Sequence, residues 1–126
     1  MSRHCINFSD VEAAFERVKP LVHRTPVLTS TYFSDQSGPG REVFFKCEAY
    51  QKTGSFKFRG ASNATAIIKE LTPSLSDVTV VTHSSGNHAQ ALALAAAENG
   101  VKAHIVMPDN APKAKLRAVE ETYKAR

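Results

Sequence analysis

The sequence predicts an α/β protein built around a βαβ unit, with a parallel pair of strands at about 78–107. Three observations carry this expectation. "VTVVTH" (78–83) and "VKAHIVMP" (101–108) are short runs rich in β-branched residues. Between them lies the alanine-rich "AQALALAAAENG" (89–100), whose last residue, Gly100, suits a left-handed helix terminus. A strand, a helix and a second strand of these lengths join by a crossover that makes the strands parallel.

The other elements follow in order. "SDVE" at Ser9–Glu12 reads as a capping box with Ser9 as N-cap, and Val11, Ala14, Phe15, Val18 and Val22 follow at helical spacing. Pro20 should end this helix near Lys19. "DQSGPG" (35–40) signals a turn, and "EVFFKCE" gives a strand over Val43–Glu48. A second helix begins after "TGS", with Ala61, Ala64, Ile67, Ile68 and Leu71 as its apolar pattern, and "TPSLSD" breaks it. The run 78–83 then reads as a buried strand. Pro112 suits the first turn of a last helix, on which Leu116, Val119 and Tyr123 share a face. There are no repeats, and Gly40 is the nearest thing to a linker.

Length and composition narrow the classes. A chain of 126 residues that is 42% hydrophobic and 22% charged is a soluble globular domain in size and make-up. Residues 1–60 hold nine Lys/Arg against six Asp/Glu, and residues 113–126 hold five against two. The basic end, "KAKLRAVEETYKAR", lacks interleaved base-stacking aromatics, so it reads as a solvated helix face and no nucleic-acid partner is expected. Cys5 and Cys47 have no paired spacing, which argues against a disulfide scaffold and a structural zinc site. The uncharged stretch 78–97 contains His83, Ser84, Ser85, Asn87, His88 and Gln90, so no membrane span is expected. "MSRHC" lacks the apolar run of a signal peptide, and a reducing, cytoplasmic compartment is expected.

Two loops carry candidate chemistry. In "KTGSFKFRG" (52–60), Lys57 stands between Phe56 and Phe58 where the chain turns into a helix. The positive end of the helix, the nearby Lys52 and Arg59, and desolvation by the two rings would all favour a neutral, nucleophilic amine. Its chemistry would be Schiff-base formation with a carbonyl substrate or with pyridoxal phosphate. The alternative is a surface loop whose lysine has aromatic neighbours. "THSSGNH" (82–88) leaves a strand and opens a helix, so its N–H groups and hydroxyls form an anion site for a phosphate or a carboxylate. The alternative is helix capping by Ser84 or Ser85, with Gly86 making a tight turn. The loop matches neither the dinucleotide fingerprint nor a P-loop.

"KTGSFKFRGA" (52–61) followed by "SSGNHAQALA" (84–93) resembles the fold-type II pyridoxal-phosphate enzymes, in the branch of serine racemases and serine/threonine dehydratases. "HRTPVLTS" (23–30), "FFKCE" (44–48) and "IVMPDNAPKAK" (105–115) fit the same family. The likeness runs from about Cys5 to Lys115. Beyond it the chain departs, since Tyr123 is followed by Lys124 where the family has Tyr-Gly.

The resemblance implies a tryptophan-synthase-β-like fold and a set of roles. Lys57 would be the imine-forming lysine, Phe56 would pack on the pyridine ring, and Asn87 would bond the cofactor's phenolate oxygen. Ser84, Ser85, Gly86, Asn87 and His88 would hold the substrate carboxylate, with His88 packing rather than catalysing and His83 having no better claim. Ser85 would serve as acid/base on the face opposite Lys57. Both hydroxyl and lysine would be needed to interconvert L- and D-serine, while elimination of water to pyruvate and ammonia needs only the lysine. Threonine is a further substrate of such enzymes.

Ser30, Thr31, Lys52, Thr53 and Gln90 match the ATP site at the subunit interface of serine racemases. The alternative for Lys52 is a solvated loop lysine. A homodimer is implied, with ATP and Mg²⁺ as effectors. The six glycines include no adjacent pair, so the family's glycine-rich phosphate cup is not encoded. Neither are its Mg²⁺ ligands nor its partner for the pyridine nitrogen, and no metal site is expected. Residues 1–72 would begin the larger, cofactor-binding domain, and residues 73–126 the smaller βαβ domain. The chain alone is therefore expected to be an inactive or incomplete fragment of such an enzyme. The competing expectations are a non-catalytic truncated isoform and a small anion- or nucleotide-binding α/β module.

Overall fold

The computed structural model describes residues 5–75 and 78–122. Its first helix, α1 (Phe8–Val18), starts earlier than the capping pattern at Ser9 suggests. Asn7 is the N-cap: its side chain accepts from the Asp10 N–H, and the Asp10 carboxylate accepts from the Asn7 N–H at 2.8 Å. Asparagine caps as well as serine does, and the reciprocal acid sits three residues on, so the box is Asn7/Asp10 rather than Ser9/Glu12. The helix ends at Val18 with Lys19 as C-cap, as a proline at 20 requires.

Strand β1 (Val27–Thr29) pairs antiparallel with β2 (Phe44–Lys46), in the register Val27↔Lys46 and Thr29↔Phe44. The second strand is shorter than the span Val43–Glu48, because Glu48–Tyr50 coils into a 3₁₀ turn. Between the strands lies α2 (Thr31–Gln36), a helix the sequence patterning did not reveal, capped by the Ser30 hydroxyl. The turn after it uses Gly38 and Gly40, both at positive φ.

Helix α3 (Lys57–Leu71) ends at Thr72, before Pro73. The βαβ unit follows as expected: β3 (Thr79–His83), α4 (Asn87–Asn99) and β4 (Lys102–Val106). The strands are parallel, with Thr79↔Lys102 and His83↔Val106 in register. Gly100 closes α4 at φ 73°. A short α5 (Lys113–Arg117) follows Pro112 and continues as a π-helical stretch, Ala118–Thr122. Val119 is buried and Leu116 half-buried, while Tyr123 lies outside the described residues.

Two small cores hold these elements together. Phe58 and Ala61 of α3 meet Ala91 and Ala95 of α4, with Val22 and Leu94 against them. On the other side of α4, Ala89 and Ala93 meet Ile105 and Val119. A buried polar link joins the helices: Asn99 donates to Thr65 Oγ1 at 3.0 Å, and Thr65 donates to the Ala61 carbonyl at 3.0 Å. Helix α3 thus buries Phe58, Ala61, Ser62, Thr65 and Ala66. Of its anticipated apolar set, Ile67 and Ile68 are only half-buried, and Ala64 and Leu71 are exposed. Nor is β3 buried on both faces: its residues alternate, and Val81 is 68% exposed. Helix α4 covers one face of the two-stranded sheet, and no layer among the described residues covers the other.

Candidate functional site

The turn that delivers Lys57 is anchored from beneath. The Gln51 amide, 3% exposed, accepts the His23 N–H and donates to the His23 carbonyl, both at 2.9 Å, and also accepts the Lys52 N–H. Thr53 then adopts φ 60°, ψ 11°, followed by Gly54 at φ 70°. A β-branched residue in the left-handed region is strained, and such strain collects at functional sites. The Thr53 and Ser55 hydroxyls are buried without a hydrogen-bond partner. Helix α3 begins at the next turn, with Phe56 as its N-cap residue and Lys57 as its first member.

Lys57 is not pressed between two rings. Successive helical residues point about 100° apart, and the flanking phenylalanines part accordingly. Phe58 is fully buried in the α3–α4 core, whereas Phe56 is 59% exposed and lies beneath the Lys57 ammonium, 5.0 Å from ring centroid to Nζ. Lys57 itself is exposed and makes no hydrogen bond or ion pair with a described residue.

The neighbouring cations are both engaged. Arg59 holds Glu48 through Nε (2.8 Å) and Nη2 (2.7 Å), and Thr25 donates to the same carboxylate at 2.6 Å. The Arg59 hydrogen bond leads in holding the Glu48 carboxyl below its ordinary range, and the pair raises Arg59 in turn. Lys52 pairs with Glu98 of α4 at 2.8 Å, with its ammonium over the Phe58 ring. Lys52 and Arg59 are thus each held by a carboxylate, and Phe56 rather than Phe58 meets the Lys57 ammonium.

The second loop leaves β3 and opens α4. Ser84 N–H bonds the Val106 carbonyl at 3.0 Å, which continues the sheet ladder by one residue. Gly86 occupies the N-cap position, and no side chain caps the helix, so neither Ser84 nor Ser85 does so. The Ser84 hydroxyl instead accepts the Gly86 N–H at 3.2 Å and tightens the loop. Ser85 and Asn87 are exposed, and His88 is half-buried. A third element approaches: Lys115 Nζ of α5 lies 3.8 Å from where a Cβ on Gly86 would stand. Unbonded N–H groups, two exposed polar side chains and a nearby ammonium make this loop suited to an anion.

No hydrogen bond or ion pair joins Lys57 to residues 84–88 among the described residues. The two sites are linked through their helices, since α3 and α4 share the Phe58–Ala61–Ala91–Ala95 core. The five candidate ATP residues are scattered in role. The Ser30 hydroxyl caps α2, Thr31 is exposed, Thr53 forms the strained turn, and Gln90 is half-buried on α4. Lys52 is not a free loop cation, because Glu98 holds it. Among the described residues, no group of three or more His, Cys, Asp or Glu is placed to hold a metal, and no helix is long and apolar enough to cross a membrane.

Sequence reasoning missed the Glu48–Arg59–Thr25 cluster, the Asn99–Thr65 link and the approach of Lys115. Each joins residues distant in sequence, and none leaves a local pattern.

Comparison with known proteins gives a consistent result. Residues 18–122 match the family described as pyridoxal-phosphate dependent enzyme. Mouse serine racemase is 49% identical over 119 residues, which covers 94% of this chain and 34% of the mouse protein. The structure of maize serine racemase superposes with a TM-score of 0.83 at 45% identity, covering 98% of this chain and 36% of that one. A pyridoxal 5'-phosphate-dependent aspartate racemase superposes with a TM-score of 0.89 at 44% identity, covering all of this chain and 38% of the other. The chain spans about a third of the length of the curated relatives it matches.

Proposed function

This chain belongs to the family of pyridoxal-phosphate dependent enzymes, and from that membership we propose that it forms the lysine-bearing and carboxylate-binding part of a serine racemase and serine/threonine dehydratase. One observation carries the proposal. Lys57 presents an exposed amine with no ionic partner among the described residues, at the start of α3 and over the open face of Phe56, although Lys52 and Arg59 on either side are both ion-paired. An amine kept free between two satisfied cations is available for covalent chemistry.

The residues present fit the cofactor. Lys57 supplies the amine, Phe56 a flat apolar face, and Asn87 an exposed amide that donates to a phenolate oxygen. The strained Thr53–Gly54 turn fixes the start of α3. When bound, pyridoxal phosphate supplies an electron sink for the substrate's α-carbon. The chain's own groups do the rest. The N–H groups and hydroxyls of 84–88 hold the substrate carboxylate, with the Lys115 ammonium adding attraction. Lys57 takes or returns the α-proton on one face, and the Ser85 hydroxyl does so on the other. Inversion uses both groups, and loss of water from serine or threonine uses Lys57 alone.

Finer assignments rest on the same reading. Residues 1–72 and 73–126 belong to two domains, which is supported by the separate antiparallel and parallel sheets. The whole protein works as a homodimer in D-serine synthesis, with ATP and Mg²⁺ as effectors. Ser30, Thr31, Lys52, Thr53 and Gln90 contact the ATP once Lys52 leaves Glu98. Two free thiols, Cys5 and Cys47, suit the cytoplasm.

The test uses the protein at its natural length. It is loaded with pyridoxal phosphate, reduced with borohydride, digested and mapped, and assayed for D-serine and pyruvate from L-serine, with L-aspartate in parallel. Label on Lys57 with turnover of serine is the expected outcome. Label on Lys46, Lys52 or Lys69 overturns the assignment, and inversion of aspartate alone would replace the substrate.

A further inference from the structure

A cavity of about 480 Å³ opens where the end of α1, the segment 22–24, β2 and α3 meet. Phe15, Lys19, Val22, His23, Arg24, Lys46 and Arg59 line it. Apart from Arg59, two residues beyond Lys57, and His23, which anchors Gln51, these residues lie outside the Lys57 turn, and none belongs to the 84–88 loop or the candidate ATP residues.

Its charge is unbalanced. Four permanent cations face two nearby carboxylates: Glu48, held by Arg59, and Glu16, 3.8 Å from Lys19. Even if each carboxylate cancels one charge, a surplus of two remains. The unused donors are more telling. Glu48 takes Nε and Nη2 of Arg59, which pins the guanidinium and leaves Nη1 without a partner among the described residues. Among the described residues Lys46 gives a single hydrogen bond, to the Thr25 carbonyl at 2.8 Å, from an ammonium with three hydrogens. His23 Nδ1 sits on the Tyr50 carbonyl, which leaves Nε2 open. Arg24 bonds nothing among the described residues. The Phe15 ring, 56% exposed, and Val22 give the cavity an apolar wall.

We propose that this cleft is a binding site for a phosphate monoester, whose dianionic head meets Arg24, Lys46 and Arg59 while its organic part lies on Phe15 and Val22. The Arg24 guanidinium fork suits phosphate oxygens better than a point charge does, and Nη1 of Arg59 adds a donor beside it. The surplus charge matches a dianion, and the volume falls within the range of small-ligand sites. The proposal does not depend on the chemistry assigned to Lys57.

Phenyl phosphate is the probe, titrated calorimetrically into the natural-length protein, with Arg24 modification by phenylglyoxal mapped by mass spectrometry. Phenyl phosphate should bind more tightly than inorganic phosphate and shield Arg24 from the reagent. Arg24→Gln removes no internal contact and should weaken binding about tenfold or more. Arg41 bonds only the Ser37 carbonyl among the described residues, so Arg41→Gln should change nothing, and binding should persist in Lys57→Ala. Equal effects of Arg24→Gln and Arg41→Gln would mean non-specific attraction and overturn the site. So would an unshielded Arg24, phosphate binding as tightly as its phenyl ester, or loss of binding with Lys57→Ala.

Discussion

Phe56 and Phe58 flank the same lysine, but the structure exposes the first ring and buries the second. Replacing each by alanine should separate stability from cofactor binding. Phe58 is 0% exposed, so its ring withdraws about 200 Å² from water, worth up to about 5 kcal/mol at roughly 25 cal/mol per Å². Burial areas measured against an extended chain are upper bounds, and buried Phe→Ala changes typically cost about 3–5 kcal/mol. The neighbours cannot fill the gap easily, since Ala61, Ala91 and Ala95 have no side chain to extend into it. Phe56 is 59% exposed and buries about 80 Å² on the same scale, for a ceiling near 2 kcal/mol and an expected loss of about 1 kcal/mol. Urea denaturation of the natural-length protein, followed by circular dichroism, measures both losses. Absorbance titration with pyridoxal phosphate measures affinity. Phe58→Ala should be the less stable variant by about 2–4 kcal/mol, and Phe56→Ala should keep most of its stability while binding cofactor more weakly. Equal destabilisation, or cofactor binding untouched in Phe56→Ala, would refute this division of labour.

Other changes follow from the same geometry. Ser85→Ala should lose inversion of serine by roughly 10²–10⁴-fold while retaining much of its pyruvate production; equal loss of both would leave the hydroxyl only a positioning role. Glu48→Gln should destabilise by roughly 1.5–3 kcal/mol at neutral pH. Because Arg59 lowers the folded carboxyl below its ordinary 4.5, that stabilisation is present above 4.5 and fades as pH falls through the lowered value, so the variant's stability should vary less with acid. Thr65→Val should cost about 1–3 kcal/mol, since the buried Asn99 amide loses one of its two acceptors and keeps only the Ala95 carbonyl, as pH-independent urea midpoints would show. Residues 1–126 expressed alone should give no serine turnover and should associate through exposed Phe33, Phe44, Phe45 and Val81. Turnover within tenfold of the natural-length protein would contradict this.

The parallel βαβ unit was legible because β-branched runs, an alanine helix and Gly100 are all local signals. So was the end of α1 before Pro20 and the start of α3 after the "TGS" turn. Helix α2 was hidden because its one aromatic pair, Tyr32 and Phe33, is exposed and edge-stacked rather than packed into a core. The apolar pattern over Ala64–Leu71 predicted the wrong stripe, since α4 approaches the side carrying Ser62 and Thr65. A hydroxyl bonded to its own helix packs like an apolar residue, and Asn99 completes the arrangement from 34 residues away. The start of α3 at Lys57 was legible, but the packing around the lysine was not. Adjacency in sequence suggested a lysine clasped by two rings, and the helical rotation per residue turned one of them inward.

Alanine dominates the faces of α4, at 89, 91, 93, 95 and 96. A methyl group has no rotamer to freeze and none to adjust, so the contact between α3 and α4 carries little side-chain slack. Displacing one helix must displace the other, because the methyls of Ala61, Ala91 and Ala95 close directly on the fully buried Phe58 ring. Lys57 opens the first helix and Asn87 the second, and these two residues are therefore spaced by a stiff strut rather than by a hinge. Lengthening the methyl of Ala91 or Ala95 would act as a wedge, altering the reach from amine to amide without touching either.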